Sequence, residues 1–266
     1  MIKKVLQKIA FKLAKWGIPE NHQLVSKDDY VLLPKANLTY AQDLLYTFNN
    51  ADFIQDSHFI EAYNLGKATD QTQTLLPPNY DIHWRIHVLC WAANQVKHLE
   101  GDFVDCGVFS GIFARSVIHF VNFNSLDKTY YLIDTFEGLD ERYSTPQELE
   151  KSYHVGYHKV AGLYEQVQQT FSPFNTCIIK GSIPDVLSEI DTTQVCFLSV
   201  DLNAAQPEIE ALHFFWDKLV PGGIIVLDDY GYPGYEGQKK AHDRFAASKN
   251  TQILSLPTCQ GILIKK

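Results

Sequence analysis

A chain of 266 residues, 45% of them hydrophobic and 20% charged, carries enough apolar material for one sizeable core and an appendage. Its net charge of −8 argues against a nucleic-acid partner, which would call for a basic face, and no apolar run reaches the ~20 residues needed to cross a bilayer. The scattered cysteines Cys90, Cys106, Cys177, Cys196 and Cys259 fit free thiols in a reducing cytosol better than a disulfide framework or a zinc site, and the N-terminus lacks the pattern of a secretory signal, so a cytoplasmic location is expected.

Residues 2–16 predict a basic amphipathic helix. Ile2, Val5, Leu6, Ile9, Leu13 and Trp16 share one stripe, opposite Lys3, Lys4, Lys8, Lys12 and Lys15. Gly17 and Pro19 end it. Solvated lysines opposite an apolar stripe are the usual surface-helix pattern, so docking on the body or on a second subunit is preferred over an anionic membrane surface. Residues 20–80 read as irregular, with helical patches at 41–49 and 53–64. Residues 1–80 are therefore expected to form an N-terminal helical extension, an arm for substrate or for a homo-oligomer interface, ahead of a domain spanning 81–266.

A helix over 81–99 leads into that domain, where strands and helices alternate. The predicted strands are 103–106, 130–134, 176–180, 196–201, 224–228, 252–256 and 261–265. Helices are predicted at 112–122, 153–170, 184–190, 206–219 and 238–247. This alternation implies an α/β fold with a doubly wound, mostly parallel, Rossmann-like sheet of seven strands. Residues 257–260 are too few for a crossover, so the last strand is antiparallel.

Glycines and carboxylates fall where these strands end. Asp105 precedes Gly107 and Gly111 at a strand-to-helix turn, where two glycines let the backbone approach a ligand and the next helix presents its N-terminus. Asp134 ends the next strand, where a carboxylate suits a ribose diol. Ser182 follows the third. Asp201 ends the fourth strand and Asp228-Asp229 end the fifth, which places three carboxylates together at one sheet edge. Such crowding is repulsive unless a proton or cation joins it, and a hard divalent ion is the natural occupant. A proton acceptor is available in Asp201 itself, or in His154 and His158, just past an acidic segment (137–151) long enough to act as a lid.

Four segments together resemble the macrocin O-methyltransferase family, a metal-dependent group built on the class I S-adenosylmethionine-dependent fold. They are Gly101-Asp102-Phe103-Val104-Asp105-Cys106-Gly107-Val108, Asp134-Thr135-Phe136-Glu137-Gly138-Leu139, Lys180-Gly181-Ser182-Ile183-Pro184-Asp185 and Pro221-Gly222-Gly223-Ile224-Ile225-Val226-Leu227-Asp228-Asp229-Tyr230-Gly231. The resemblance implies S-adenosyl-L-methionine held by the Gly107–Gly111 turn, by Asp134 and by the loop at Ser182, with Arg85 able to reach the cofactor carboxylate. It implies Mg2+, or another hard divalent cation, on Asp201, Asp228 and Asp229. The acceptor it implies is a hydroxyl of a small molecule, a glycosylated or phenolic secondary metabolite. Other readings are an N-methyltransferase on the same fold or a binding protein without chemistry. Two departures stand out. Asp201-Leu202-Asn203-Ala204-Ala205 occupies the place of the family's usual Asp-x-Asp-Leu-Tyr, so the second acid is an amide. Ala204 stands where similar catechol O-methyltransferases place a basic lysine.

Overall fold

The computed structural model describes residues 25–27, 30–32, 37–71, 79–155 and 160–266. The helix expected at 2–16, Pro77-Pro78 and His158 lie outside them. The chain divides into two compact units, Met1–Ala51 and Asp52–Lys266.

In the first unit, β1 (Val25–Lys27) pairs antiparallel with β2 (Tyr30–Leu32), and β3 (Tyr40–Gln42) with β4 (Leu45–Thr47). The helical patch expected over 41–49 is therefore a hairpin. Its turn residues Asp43 and Leu44 have φ of 50° and 59°, the left-handed geometry that two-residue hairpin turns need and a helix excludes.

The unit boundary lies at Ala51, not at residue 80. Helix α1 (Ser57–Lys67), capped by the Asp56 carboxylate on the Phe59 amide, belongs to the larger unit with α2 (His83–Val96) and α3 (Ile112–Val121). Gly66 lets α1 lie against α3, since a Cβ there would come within 1.9 Å of the Ser116 hydroxyl.

The larger unit is built on a seven-stranded sheet of β5 (Asp102–Cys106), β6 (Tyr130–Asp134), β7 (Thr176–Lys180), β8 (Val195–Val200), β9 (Leu219–Leu227), β10 (Leu254–Ser255) and β11 (Gly261–Ile264). The spatial order is β10-β11-β9-β8-β5-β6-β7. Strands β5 to β9 are parallel, and β11 runs antiparallel to both β9 and β10. The fold class read from the sequence is thus the one observed. Every residue of Val195–Val200 is buried, as expected of a strand covered on both faces. Phe103, Leu132, Phe197 and Val226 pack with α1, α2 and α3 on one face. Val104, Ile133, Leu198 and Ile225 pack on the other with α6 (Ala205–Trp216) and α7 (Glu236–Ser248).

The single helix predicted over 153–170 is two helices, α4 (Pro146–Val155) and α5 (Leu163–Phe171), the second starting after Gly162 at φ 76°. The edge strand predicted at 252–256 is only two residues long. Among the described residues, no helix is long and apolar enough to cross a membrane.

Candidate functional site

Parallel strands deliver their C-terminal residues to one edge, and the backbone ladder continues past the strands to fix them. The Asp201 amide donates to the Cys106 carbonyl (2.8 Å), and the Asp228 amide to the Val200 carbonyl (3.0 Å). Asp201, Asp228 and Asp229 consequently converge, each offering one carboxylate oxygen within 4.8 Å of the others. Burial, then their mutual repulsion, holds Asp201 and Asp229 well above the usual carboxylate range. Such a site favours an added proton or cation. Its all-oxygen donor set fits a hard divalent ion.

Arg85 stands at this cluster. Its Nη1 donates to Asp228 and, at 3.1 Å, to Asp229, and its guanidinium lies 5.2 Å from the Tyr232 ring centroid. The guanidinium expected to reach the cofactor carboxylate is thus engaged with these two acids. Gln260 Nε2 donates to the other oxygen of Asp228 (3.0 Å).

Asp201 is bound from its own loop. Asn203 Nδ2 donates to Asp201 Oδ1 (3.0 Å), while Asn203 Oδ1 accepts from the Tyr235 hydroxyl (2.6 Å). Asn203 has φ 57°, a conformation asparagine tolerates better than most residues. Glu208 holds the loop beneath: its Oε1 accepts from the amides of Leu202 and Asn203 (both 3.1 Å) and from Gln238 Nε2 (2.8 Å). Its Oε2 lies 2.9 Å from His242 Nε2, both side chains buried. His242 thus supports this loop from below, through Glu208.

The Gly-rich turn abuts the acids directly. Gly107 has φ 96°, and a Cβ on it would sit 1.8 Å from the Asp201 carbonyl oxygen, so only glycine lets the two loops meet. Gly111 has φ 94° and opens α3; a Cβ there would strike the Phe171 ring at 2.4 Å. Asp134 ties this turn to the loop after β6, accepting from the amides of Phe109 (2.8 Å) and Phe136 (2.6 Å). Both phenylalanines are left-handed, at φ 45° and 55°, strain that the paired amide bonds offset. Each Asp134 oxygen still has acceptor capacity for a ligand hydroxyl. Asp105 is fully buried, its carboxyl pushed up to about 8 by burial, with Ser199 beside it opposing the shift and Asp134 and Asp228 adding to it. Neither of its oxygens has a hydrogen-bond partner of ordinary geometry among the described residues. Ser182 donates to Asp140 (2.5 Å), joining the loops after β7 and β6. It does not cap the short turn Asp185–Glu189, which has no side-chain cap.

The acidic segment expected to be a lid runs as turns over residues 137–145 and then enters helix α4 at Pro146. Glu148 accepts from the Thr145 amide (2.7 Å) and Thr145 returns the bond, a capping box with Pro146 at the first helical position. Glu148 also accepts from the Ala205 amide (2.9 Å), just past the Asp201 loop. Lys151 donates to the Pro233 carbonyl (3.2 Å) and lies 3.1 Å from the Tyr235 ring centroid. Lys151 is a site neighbour that sequence reading passed over; the Thr-Pro-x-Glu start at residue 145 was the available signal. The backbone of His154 is on α4, but its side chain, like all of His158, lies outside what is described.

Residues 84–255 match a family model described as "Macrocin-O-methyltransferase (TylF)". An 8-demethyl-8-(2,3-dimethoxy-alpha-L-rhamnosyl)-tetracenomycin-C 4'-O-methyltransferase of Streptomyces olivaceus is 25% identical over 142 residues, 50% of this chain and 54% of that one. A mycinamicin III 3''-O-methyltransferase of Micromonospora griseorubida is 25% identical over 148 residues, 51% and 57% of the two chains. The chain thus spans little more than half the length of these curated relatives. Among solved structures, the O-methyltransferase NovP superposes with a TM-score of 0.60 at 18% identity, covering 77% of this chain and 88% of that one. The calicheamicin methyltransferase CalS11 does so with 0.53 at 16% identity, covering 76% and 91%. At these identities the likeness speaks for the fold alone.

Proposed function

The chain belongs to the macrocin O-methyltransferase family, and we propose that it moves the methyl group of S-adenosylmethionine to a hydroxyl of a glycosylated small molecule, with Asp201, Asp228 and Asp229 holding a divalent cation such as Mg2+. The observation that carries this reading is the convergence of three carboxylates, Asp228 buried and Asp201 and Asp229 half-buried, against the Gly107 turn. The glycosylated acceptor rests on the relatives, one of which is named for a rhamnosyl-bearing substrate.

In this reading the Gly107–Gly111 turn lets the methionine end of the donor close to the backbone, Asp134 takes the ribose hydroxyls, and Asp105 adds a buried, protonated carboxyl to the same strand end. The loop at Ser182 borders the adenine. A bound divalent cation would lower the pKa of the acceptor hydroxyl and fix its position. Asp201 receives the hydroxyl proton as the oxygen attacks the methyl carbon; the C–O bond forms, the C–S bond breaks, and S-adenosylhomocysteine leaves. Arg85 keeps Asp228 and Asp229 turned inward as oxygen donors.

The test is methyl transfer from labelled S-adenosylmethionine to an aryl rhamnoside panel, with Mg2+ and with excess chelator. The expected outcome is transfer to a sugar hydroxyl that chelator abolishes, and loss of about a hundredfold in Asp228→Asn, which removes the charge at nearly constant shape and turns an NH2 towards one of the two donors, Arg85 or Gln260. Full turnover in chelator would overturn the metal; cofactor binding without transfer to any hydroxyl would overturn the reaction.

A further inference from the structure

Asn203 occupies the position at which the sequence departs from its family, and its surroundings give the departure a chemical reason. The side chain is 7% exposed and lies between two groups of opposite hydrogen-bonding character. With its carboxylate ionised beside a cation, Asp201 can only accept through Oδ1; the Tyr235 hydroxyl, also in a buried residue, donates. An amide satisfies both at once, donating through Nδ2 and accepting through Oδ1. A carboxylate at 203 could accept from Tyr235, but it would face Asp201 with a second acceptor and a second negative charge, and the bond would become a repulsion. The phenol also sets the amide's orientation, because a flipped amide would turn its NH2 towards the donating hydroxyl. Glu208 holds the Asn203 backbone through its amide, so the loop itself does not supply the freedom to escape.

We propose that Asn203 is a positioning residue for Asp201, oriented by Tyr235, which engages Oδ1 of that carboxylate and leaves Oδ2 to face the divalent cation and the acceptor hydroxyl. The role rests on the metal reading above. It assigns this chain a neutral amide where a fourth acid is expected, so the cation is held by three carboxylates and the fourth position serves to aim one of them. Tyr235 extends the arrangement to α4, since Lys151 covers its ring. The row Lys151, Tyr235, Asn203, Asp201 thus runs from the helix over the site to the carboxylate at its centre.

The measurement is Mn2+ binding by titration calorimetry on the full chain, without acceptor, in wild type, Asn203→Ala, Tyr235→Phe, Asp201→Ala and the double variant Asp201→Ala/Asn203→Ala. Loss of a group that orients a metal ligand costs typically 10–100-fold in affinity. Asn203→Ala is expected to weaken Mn2+ by about that factor, and Tyr235→Phe, which keeps the ring under Lys151, by a smaller factor in the same direction. In the Asp201→Ala background, removing Asn203 should change nothing further, because its effect passes through Asp201. Stabilisation by S-adenosylmethionine, read by thermal denaturation, should stay at the wild-type value in both Asn203→Ala and Tyr235→Phe, which separates positioning from a loosened fold. Wild-type Mn2+ affinity in Asn203→Ala, or the same loss with and without Asp201, would overturn the inference while leaving the metal site standing. A wild type that is stabilised by S-adenosylmethionine yet takes up no Mn2+ would overturn the metal reading itself and this role with it.

Discussion

Asp105 shows how one side chain can write a pH dependence into the apoprotein. Its carboxyl is pushed up to about 8, burial being the largest cause. In an unfolded chain the same group titrates near about 3.9. Between those values the folded protein keeps a proton that the unfolded chain has released. The native state then binds more protons, so stability falls as pH rises through that window. The contribution is complete below about pH 4 and gone once pH has climbed past about 8. Asp105→Asn keeps the shape and cannot ionise. The variant is expected to melt above wild type, by a margin that widens between pH 5 and pH 8 by at most about 1.4 kcal/mol per pH unit. Calorimetric melting of the ligand-free variants at the two pH values checks this. A margin that does not change with pH would mean that Asp105 does not titrate in the window.

The element that joins the site is α4, which touches both loops carrying the acids. Glu148 reaches the loop after β8 at Ala205, and Lys151 reaches the loop after β9 at Pro233 and Tyr235. Burial depresses the Lys151 pKa, opposed by the charges of Asp229 and Glu236, which places its ammonium within the field of the cluster. Glu148→Ala removes the capping box and the Ala205 bond together. A cap is worth about 1 kcal/mol, so amide exchange in α4 should quicken by roughly fivefold while the melting temperature of the larger unit barely moves. Exchange mass spectrometry on peptides spanning 146–155 reads it directly, and unchanged protection would show that other contacts hold the helix. The start of α4 was legible as Thr145-Pro146-x-Glu148, yet the acidic run around it reads equally as a solvated loop, and the helix was expected only from residue 153. The hairpin over residues 40–47 was illegible for a different reason: Asp43-Leu44 is not a turn pair that announces left-handed geometry. The strands β5 to β9 were readable because both their faces are buried, which leaves uninterrupted apolar runs. Their ends then positioned Asp105, Asp134, Asp201, Asp228 and Asp229 without further information. Arg85 and Tyr235 were not readable as partners of these acids, because sequence spacing does not show a contact made across 143 residues or the inward turn of a tyrosine.

At the scale of the molecule, the donor turn and the acid cluster are one structure rather than two neighbouring ones. The Gly107 backbone touches that of Asp201, and the strand ladder carries both from the same core. The sheet, α1 to α7 and every residue of the candidate site fall within Asp52–Lys266. A ligand bound at this edge should therefore stabilise that unit as a whole, not a single loop. At 100 times its dissociation constant a ligand adds about 2.7 kcal/mol, and a unit of this size gains about 2–4 °C per kcal/mol, so S-adenosylmethionine is expected to raise the transition by roughly 5–11 °C. Mg2+ should add to that shift, and Asp228→Asn should remove the Mg2+ increment while keeping the S-adenosylmethionine increment, because the turn and Asp134 are untouched. The full chain melted without ligand, with each ligand alone and with both supplies the four values needed. A chain stabilised by neither ligand would have kept the fold of its family without the ligand sites, and the carboxylates would then be neutralised by protons and Arg85 alone.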